Sequence, residues 1–475
     1  MTLKARITAI DRFIKGCRED GIYNDLNACC VMAGWDSLAG ALTPLKGAAP
    51  SNNGFDNTDY DRGGIGITGD ETSYINSGFA TNQLTAQDDF HLAIFPTTEN
   101  SVATTTYHVI GSGGDVYLRD NVTNQAVRPN TTEAPSSSGR AQAGKILAGS
   151  LFGTTLSYRI NGVSQTTTGT AKAASGTTAS VFGTAGLYVN ESLAFYSFGS
   201  ATELALLDAR VSTLMADLRA IEETGFDRDA IAYIRAVEEA DGAYLETSVK
   251  TAINNLVSGL KADDGLWDAI GSSCLLCGPR TLAGALVPLR GDAPTPNGFV
   301  SGDHSRTDGL GDPDGTSYLV TGLPYNEVNA NDEHLAVYVT SLPGNDQNLL
   351  GGGSVAPVAY SRIGYVGNQQ KYDFQTGVGL SVAAQFSTGF VGGSRSSSAT
   401  VTRRNAGSSV TAAAASTTRS TTSTPYGVFC GNYATLTGAA PTIAKLAFYS
   451  IGTSLDLTKL DSHITAYVTA IGAAL

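Results

Sequence analysis

His91 and His334 each follow an aspartate by two residues, in Asp89-Phe90-His91 and Asp332-Glu333-His334. An Asp-x-His pair can orient an imidazole as a general base. No serine or cysteine nucleophile accompanies either one, and the G-x-S-x-G turn of a nucleophile elbow is absent. A histidine at the start of a buried strand, held by the neighbouring carboxylate, is the expected role. Paired carboxylates come next, because glycoside hydrolysis needs two of them facing a sugar. Asp59 and Asp61 alternate, but within the turn-rich Asn57-Thr58-Asp59-Tyr60-Asp61-Arg62-Gly63-Gly64. Asp59 and its counterpart Asp303 are read as bonding local backbone, or pairing with Arg62 and Arg306 three residues on.

Cys274-Leu275-Leu276-Cys277 has the spacing of a metal or redox motif. A zinc site needs a second ligand pair, and His304, the next histidine, has no Cys or His at that spacing. The motif also lies late in an apolar run rather than at a helix start. It reads as two buried thiols, as do adjacent Cys29 and Cys30. The oxygen-rich stretches Gly69-Asp70-Glu71-Thr72 and Gly311-Asp312-Pro313-Asp314-Gly315-Thr316 raise calcium, but a hard cation takes six or more oxygens. An Asp-Gly turn is the simpler reading. Gly351-Gly352-Gly353 and Gly111-Ser112-Gly113-Gly114 lack the Gly-Lys-Ser/Thr of a phosphate loop. Tyr325, Tyr360 and Tyr365 are candidates to stack on sugar rings, with spacing no different from that of core tyrosines. No catalytic residue, cofactor or metal ligand is assigned.

The 475 residues carry 43 acids against 30 Lys and Arg, a net charge of −13. Apolar residues are 42% and charged ones 15%, too apolar a balance for a disordered chain. An acidic chain without basic clusters argues against nucleic-acid binding. No stretch approaches the roughly 18 apolar residues that span a bilayer, so no membrane partner is expected. The N-terminus lacks a secretory apolar core; Ile7, Ile10 and Ile14 recur there at helical spacing between charges.

The elements that must position these residues occur twice. Leu38-Ala39-Gly40-Ala41-Leu42 recurs as Leu282-Ala283-Gly284-Ala285-Leu286, an offset of 244. Gly54-Phe55, Asp59, Arg62 and Thr72-Ser73-Tyr74 recur at the same offset. Leu193-Ala194-Phe195-Tyr196-Ser197 recurs as Leu446-Ala447-Phe448-Tyr449-Ser450, so insertions in loops shift the register. The expected modules are 1–223 and 224–475. Their strand-rich bodies span about 36–200 and 280–452, with a helical linker over 224–262.

Each body holds short β-branched and aromatic runs between Gly, Asn, Asp and Ser, which indicates a sandwich or barrel. Examples are Thr106-Tyr107-His108-Val109-Ile110, Leu156-Ser157-Tyr158-Arg159-Ile160 and Leu335-Ala336-Val337-Tyr338-Val339. Asn161-Gly162 signals a two-residue hairpin, with a looser turn expected at Arg404-Asn405-Ala406-Gly407. Leu245, Val249, Ile253 and Leu256 make one helical stripe before the second body. Leu204, Leu207, Val211, Leu214, Leu218 and Ile221 alternate by three and four, as do Leu457, Leu460, Ile464, Tyr467 and Ile471. These heptad seams either pack on their own sandwich or form a bundle between subunits, with Leu207, Val211, Leu214, Leu460, Ile464 and Tyr467 as subunit contacts.

The strand-rich body, the Arg159-Ile160-Asn161-Gly162 hairpin and the final Leu193–Ser197 strand resemble concanavalin A-like (laminin G-like) jelly rolls. The fold class so implied is mainly β, two tandem jelly-roll β-sandwiches with short flanking and linking α-helices. The segment from Ala232 to Leu319 resembles one found in structural proteins of tailed bacteriophages of the marine and cyanophage type. Trp267, Arg280 to Leu289, Phe299, Asp303, Arg306, Gly309-Leu310 and Tyr318 carry that resemblance. The first copy departs from it at Trp35-Asp36-Ser37 and at Tyr60-Asp61. The resemblance implies a non-enzymatic virion structural protein, a capsid decoration or tail/fibre component made in the host cytoplasm. Its expected partners are other virion proteins and further copies of itself, a trimer being the candidate homo-oligomer. The alternative is a carbohydrate-binding adhesin that recognises host-surface glycans.

Overall fold

The computed structural model describes residues 3–84, 86–98, 108–112, 116–120, 124–138, 141–173, 176–184, 187–354, 359–375, 379–434 and 436–475. The chain forms two compact units, Met1–Gly225 with Gly242–Thr247, and Phe226–Asp241 with Ser248–Leu475.

Each unit is a two-sheet sandwich. In the first, one sheet runs Val163–Thr168, Thr155–Ile160, Leu147–Phe152, Asp89–Pro96, Ser192–Gly199, Gly66–Thr68, Tyr60–Asp61, and Leu26–Val31 also pairs with Ser192–Gly199. The other runs Ser136–Ser138, Asn124–Pro129, Val116–Asp120, His108–Ser112, Thr178–Val181, Tyr74–Ala80, Ser51–Asn53. The second unit repeats this order around Glu333–Ser341 and Lys445–Gly452 in one sheet, and Gln347–Ser354 and Ala359–Val366 in the other. Neighbouring strands come from distant parts of the sequence, as in a jelly roll, and the protein is mainly β with flanking helices.

The central strands are buried on both faces. In Asp89–Pro96, Leu92 and Ile94 point into the core between the sheets, while Ala93 and Phe95 point outward into a second apolar layer. Helices Leu3–Glu19 and Leu204–Glu222 close that outer layer. This double cover explains why the strands read as continuous apolar runs rather than as alternating ones. Cys29 and Cys30 fit the same scheme, one facing each layer.

The six seam residues proposed as subunit contacts lie inside their own units. Leu207, Val211 and Leu214 share one buried cluster with Ala93, Ala148 and Ala194, small residues on three strands of the sheet. Leu460, Ile464 and Tyr467 are equally buried, with the Tyr467 hydroxyl donating to the Cys277 carbonyl at 2.7 Å. A helix lying along a sheet buries the same three-four stripe that a coiled coil does, so the pattern marks intramolecular packing. One part-buried ion pair clasps each closing helix to a sheet: Arg159 to Asp208 and Arg404 to Asp461, both at 2.6 Å.

Other expectations resolve locally. Asn161 and Gly162 take positive φ, 51° and 80°, as a two-residue hairpin requires. Ala406 and Gly407, at 51° and 74°, make an equally tight turn, not a looser one. The left-handed Ala406 is tolerated because the flanking pairing of Asn405 with Ser408 holds it. Leu245 precedes helix Thr247–Ala262 rather than joining its stripe. Thr106 and Tyr107 lie outside the described residues, and the strand begins at His108.

Because the seam residues are core, Leu207→Ala and Ile464→Ala should each lower stability by about 2–5 kcal/mol in denaturant unfolding. The solution mass by light scattering should stay unchanged. A drop in mass without loss of stability would return the seam to an interface.

Candidate functional site

The two histidines are structural, by an arrangement the sequence did not reveal. His91 Nδ1 meets the Ser200 carbonyl at 2.5 Å and its Nε2 the Ser197 hydroxyl at 3.1 Å. His334 repeats this with the Thr453 carbonyl at 2.6 Å and the Ser450 hydroxyl at 2.7 Å. The aspartates do not hold the rings. Asp89 accepts from the Ala201 N–H at 2.6 Å and Asp332 from the Ser454 N–H at 2.7 Å, fixing the turn after the last strand. Burial pulls both imidazoles down to about 4, against the hydrogen bonds to the Ser200 and Thr453 carbonyls.

The carboxylates also serve the backbone. Asp59 accepts from the Asp56 N–H and Asp303 from the Val300 N–H, both at 2.8 Å. Arg62 pairs with Glu222 at 3.2 Å rather than with Asp59, and Arg306 donates to the Gly278 carbonyl. Asp61 caps Thr247, accepting from its N–H at 2.9 Å and its hydroxyl at 2.8 Å. In the oxygen-rich loops, Asp70 accepts from the N–H groups of Thr72 and Ser73, and Asp312 from those of Asp314, Thr316 and Ser317. Burial opposes ionisation of Asp312, but these bonds hold its carboxyl well below the usual range. Among the described residues no cluster of His, Cys, Asp or Glu could hold a metal ion. Burial pushes the thiols of Cys274 and Cys277 up to about 12, which makes them poor ligands and poor nucleophiles. Gly351–Gly353 lies within a strand, as do Gly111 and Ser112 of the earlier run; Gly113 and Gly114 lie outside the described residues.

The tyrosines separate into two groups. Tyr325 is fully buried, and Tyr365 packs against the core. Tyr360 lies on the outer face of the second sheet of the second unit, half-buried. Its ring centroid is 5.6 Å from that of Tyr433 and 5.1 Å from the Arg362 guanidinium, which pairs with Asp373 at 2.6 Å. Gly353 and Gly351 stand opposite Tyr360 and Arg362 on strand Gln347–Ser354, so no side chain rises beside them from that strand. The matching register positions of the first unit, Tyr117 and Arg128, carry no such charge pair.

Inside the second unit lies a polar cluster that sequence reasoning missed. Glu333 stands opposite Arg395, both fully buried. The corresponding cross-strand pair in the first unit is Phe90 with Leu151. Glu333 accepts from Ser361 at 2.8 Å, from Gln375 at 3.1 Å and from the Tyr426 hydroxyl, with Arg419 3.5 Å away. Arg419 lies 3.9 Å from the Tyr325 ring centroid. Arg395 donates to the Ser397 carbonyl at 3.0 Å, while its Nε and Nη2 find no partner among the described residues. The signal was in the repeat: Phe90 of the first Asp-x-His becomes Glu333 in the second.

No family model and no curated protein matches the chain. Among solved structures it is similar to domain 4 of AbnA, a GH43 extracellular arabinanase from Geobacillus stearothermophilus, at 15% identity and a TM-score of 0.28, over 39% of this chain and 97% of that one. It is similar to mouse laminin alpha1 domains LG4-5 at 10% identity and a TM-score of 0.19, over 80% and 86%. A Trypanosoma rangeli sialidase in complex with sialic acid matches at 9% and 0.30, over 88% of this chain and 60% of that one. The class is defined by the chain's own strand order: a tandem jelly-roll β-sandwich protein.

Two outcomes follow from this geometry. Between about pH 6.5 and 4 the unfolded chain binds two protons that folded His91 and His334 refuse, so stability is full above that window and falls as pH drops through it. Imidazole NMR signals should stay neutral down to about pH 4 in the folded protein; titration near the unfolded value would contradict this. In the polar cluster, Glu333→Gln should cost about 3–5 kcal/mol in denaturant unfolding, because it leaves Arg395 and Arg419 uncompensated. Arg395→Leu, which restores the residue of the first unit, should cost less than about 1 kcal/mol. Equal losses from the two would refute the asymmetry.

Proposed function

We propose that this chain is a non-enzymatic contact protein of a phage particle, in which the sandwiches are scaffold and their surfaces do the work. The observation that carries this reading is the use of reactive groups as framework in both units alike. The buried histidines pin the last strand, Asp59 and Asp303 close matching turns, and the Arg159–Asp208 and Arg404–Asp461 pairs clasp the closing helices. The virion setting rests on the resemblance of the Ala232–Leu319 segment. On this reading the protein sits on the capsid or in the tail or fibre, meets other virion proteins and assembles with copies of itself. Antibody against the chain should label intact, gradient-purified particles; signal confined to the soluble fraction would overturn the reading.

A second reading, recognition of host-surface glycans, is favoured by the Tyr360, Arg362, Asp373 and Tyr433 set. The C–H face of a sugar ring packs on an aromatic side chain, and a fixed Arg–carboxylate pair offers donors and acceptors in one plane to neighbouring hydroxyls. On a glycan array the full chain should bind a limited set of sugars. Tyr360→Ala and Arg362→Lys, the second of which keeps the charge beside buried Asp373, should each weaken that binding at least tenfold without lowering the melting temperature much. An array without signal, or signal unchanged in both variants, rules the sugar reading out.

A further inference from the structure

The two units share a fold but differ by one helix. In the second unit, helix Arg228–Asp241 runs along helix Thr247–Ala262. Lys250 Nζ lies 3.5 Å from Glu238 Oε1, and both side chains are buried. Asn254 Oδ1 accepts from the Asp227 N–H at 2.8 Å, and Lys261 pairs with Asp227 at 2.6 Å and Asp229 at 2.5 Å. Lys250, Asn254, Val257 and Lys261 are spaced by four, three and four, so they form one helix face, with Ile253 beside it. Ile253 and Val257 are fully buried. At the far end Asp241 accepts from the N–H groups of Arg280 and Thr281 at 2.7 and 2.8 Å.

Helix Leu3–Glu19 is the counterpart of Thr247–Ala262, and packing fixes the register. Gly16 abuts Arg210, which pairs with Asp20 at 2.7 Å; Gly259 abuts His463, which bonds Asp263 at 2.8 Å. Arg18 then falls on Lys261, and each cation lies over an aromatic ring, Tyr23 at 4.7 Å and Trp267 at 5.4 Å. In this register Lys250, Ile253 and Val257 become Ile7, Ile10 and Ile14. The face that a helix covers in the second unit is only half covered in the first, where Ile10 and Ile14 lie partly buried against the unit's own core. Ile7 is 55% exposed and Leu3, one turn earlier, 59%.

We propose that Leu3, Ile7, Ile10 and Ile14 form a docking face for an amphipathic helix supplied by another polypeptide, seated as Arg228–Asp241 is seated on the second unit. The duplicate specifies the occupant's chemistry. It carries apolar residues at three-four spacing, as Ala230, Ile234 and Val237 do. Its first turn is acidic, to meet Arg18 as Asp227 and Asp229 meet Lys261. Where the second unit has Glu238 it carries an apolar residue, because Ile7 replaces Lys250 and a carboxylate there would be buried without a partner.

The probe is a fluorescent peptide of residues 226–242, in native form and with Glu238→Leu, titrated by anisotropy into the full chain. The Glu238→Leu peptide should bind at least tenfold more tightly than the native one. Ile7→Asp, at an exposed position that leaves the melting temperature unchanged, should abolish this binding. Ile7→Lys should reverse the preference, so that the native Glu238 peptide binds better. No binding up to about 100 μM peptide, or binding insensitive to both Ile7 variants, overturns the proposal. So does concentration-dependent self-association that Ile7→Asp abolishes while neither peptide binds, because a second copy would then be what covers the stripe.

Discussion

The strand Asp89–Pro96 turns one set of side chains to the other sheet and the alternate set to helices. A sheet with two apolar faces cannot stand in water with only one of them covered, since each exposed Leu, Ile or Phe side chain forfeits about 1.5–3 kcal/mol. The closing helix is therefore a layer of the core. Its seam, the alanines beneath it and the Arg–Asp clasp at its start all answer that one requirement. The histidine pin answers it too: a neutral imidazole, buried and bonded to a carbonyl and a hydroxyl, fixes where the last strand ends and the helix begins.

Given that scaffold, the two units differ by what each adds to it. The second unit places Glu333 and Arg395 where the first has Phe90 and Leu151, exchanging an apolar pair for a charged one at the same register. A buried charge is tolerated when its oxygens are saturated, and Glu333 has hydrogen bonds from Ser361, Gln375 and Tyr426 besides the nearby Arg419. The second unit also packs an extra helix on its lead-in helix, where the first leaves Leu3 and Ile7 exposed and Ile10 and Ile14 half-covered. One copy is covered there by its own chain; at the matching positions of the other, Ile7 stands in place of Lys250.

Much of this was legible in the sequence. The repeat fixed the two-unit organisation, and the Asn161-Gly162 turn and the β-branched runs marked strands. The helical spacing of Ile7, Ile10 and Ile14 was visible as well. The heptad seams were ambiguous because a sheet and a partner helix demand the same periodicity, and only the alanines on three separate strands decide between them. The role of Asp89 and Asp332 was misread because proximity in sequence put the carboxylate beside the ring, whereas residues two apart on a strand share a face but stand about 7 Å apart, and His91 bonds instead to a serine 106 residues away. The Glu333 cluster needed the two copies to be compared position by position, since a single glutamate in an apolar run carries no signal of its own. Tyr360 stands on the outer face of a strand while Tyr325 is the buried first residue of a 3-10 turn, a difference that neither tyrosine's neighbours in sequence announce.

The central claim is that each closing helix is part of its unit's core. Native-state hydrogen exchange followed by mass spectrometry tests it most directly. Helices Leu204–Glu222 and Leu457–Ala474 should exchange as slowly as strands Asp89–Pro96 and Glu333–Ser341, opening only with the whole unit. Helices that exchange freely while those strands stay protected would show a sheet stable without its outer layer, and would contradict the account.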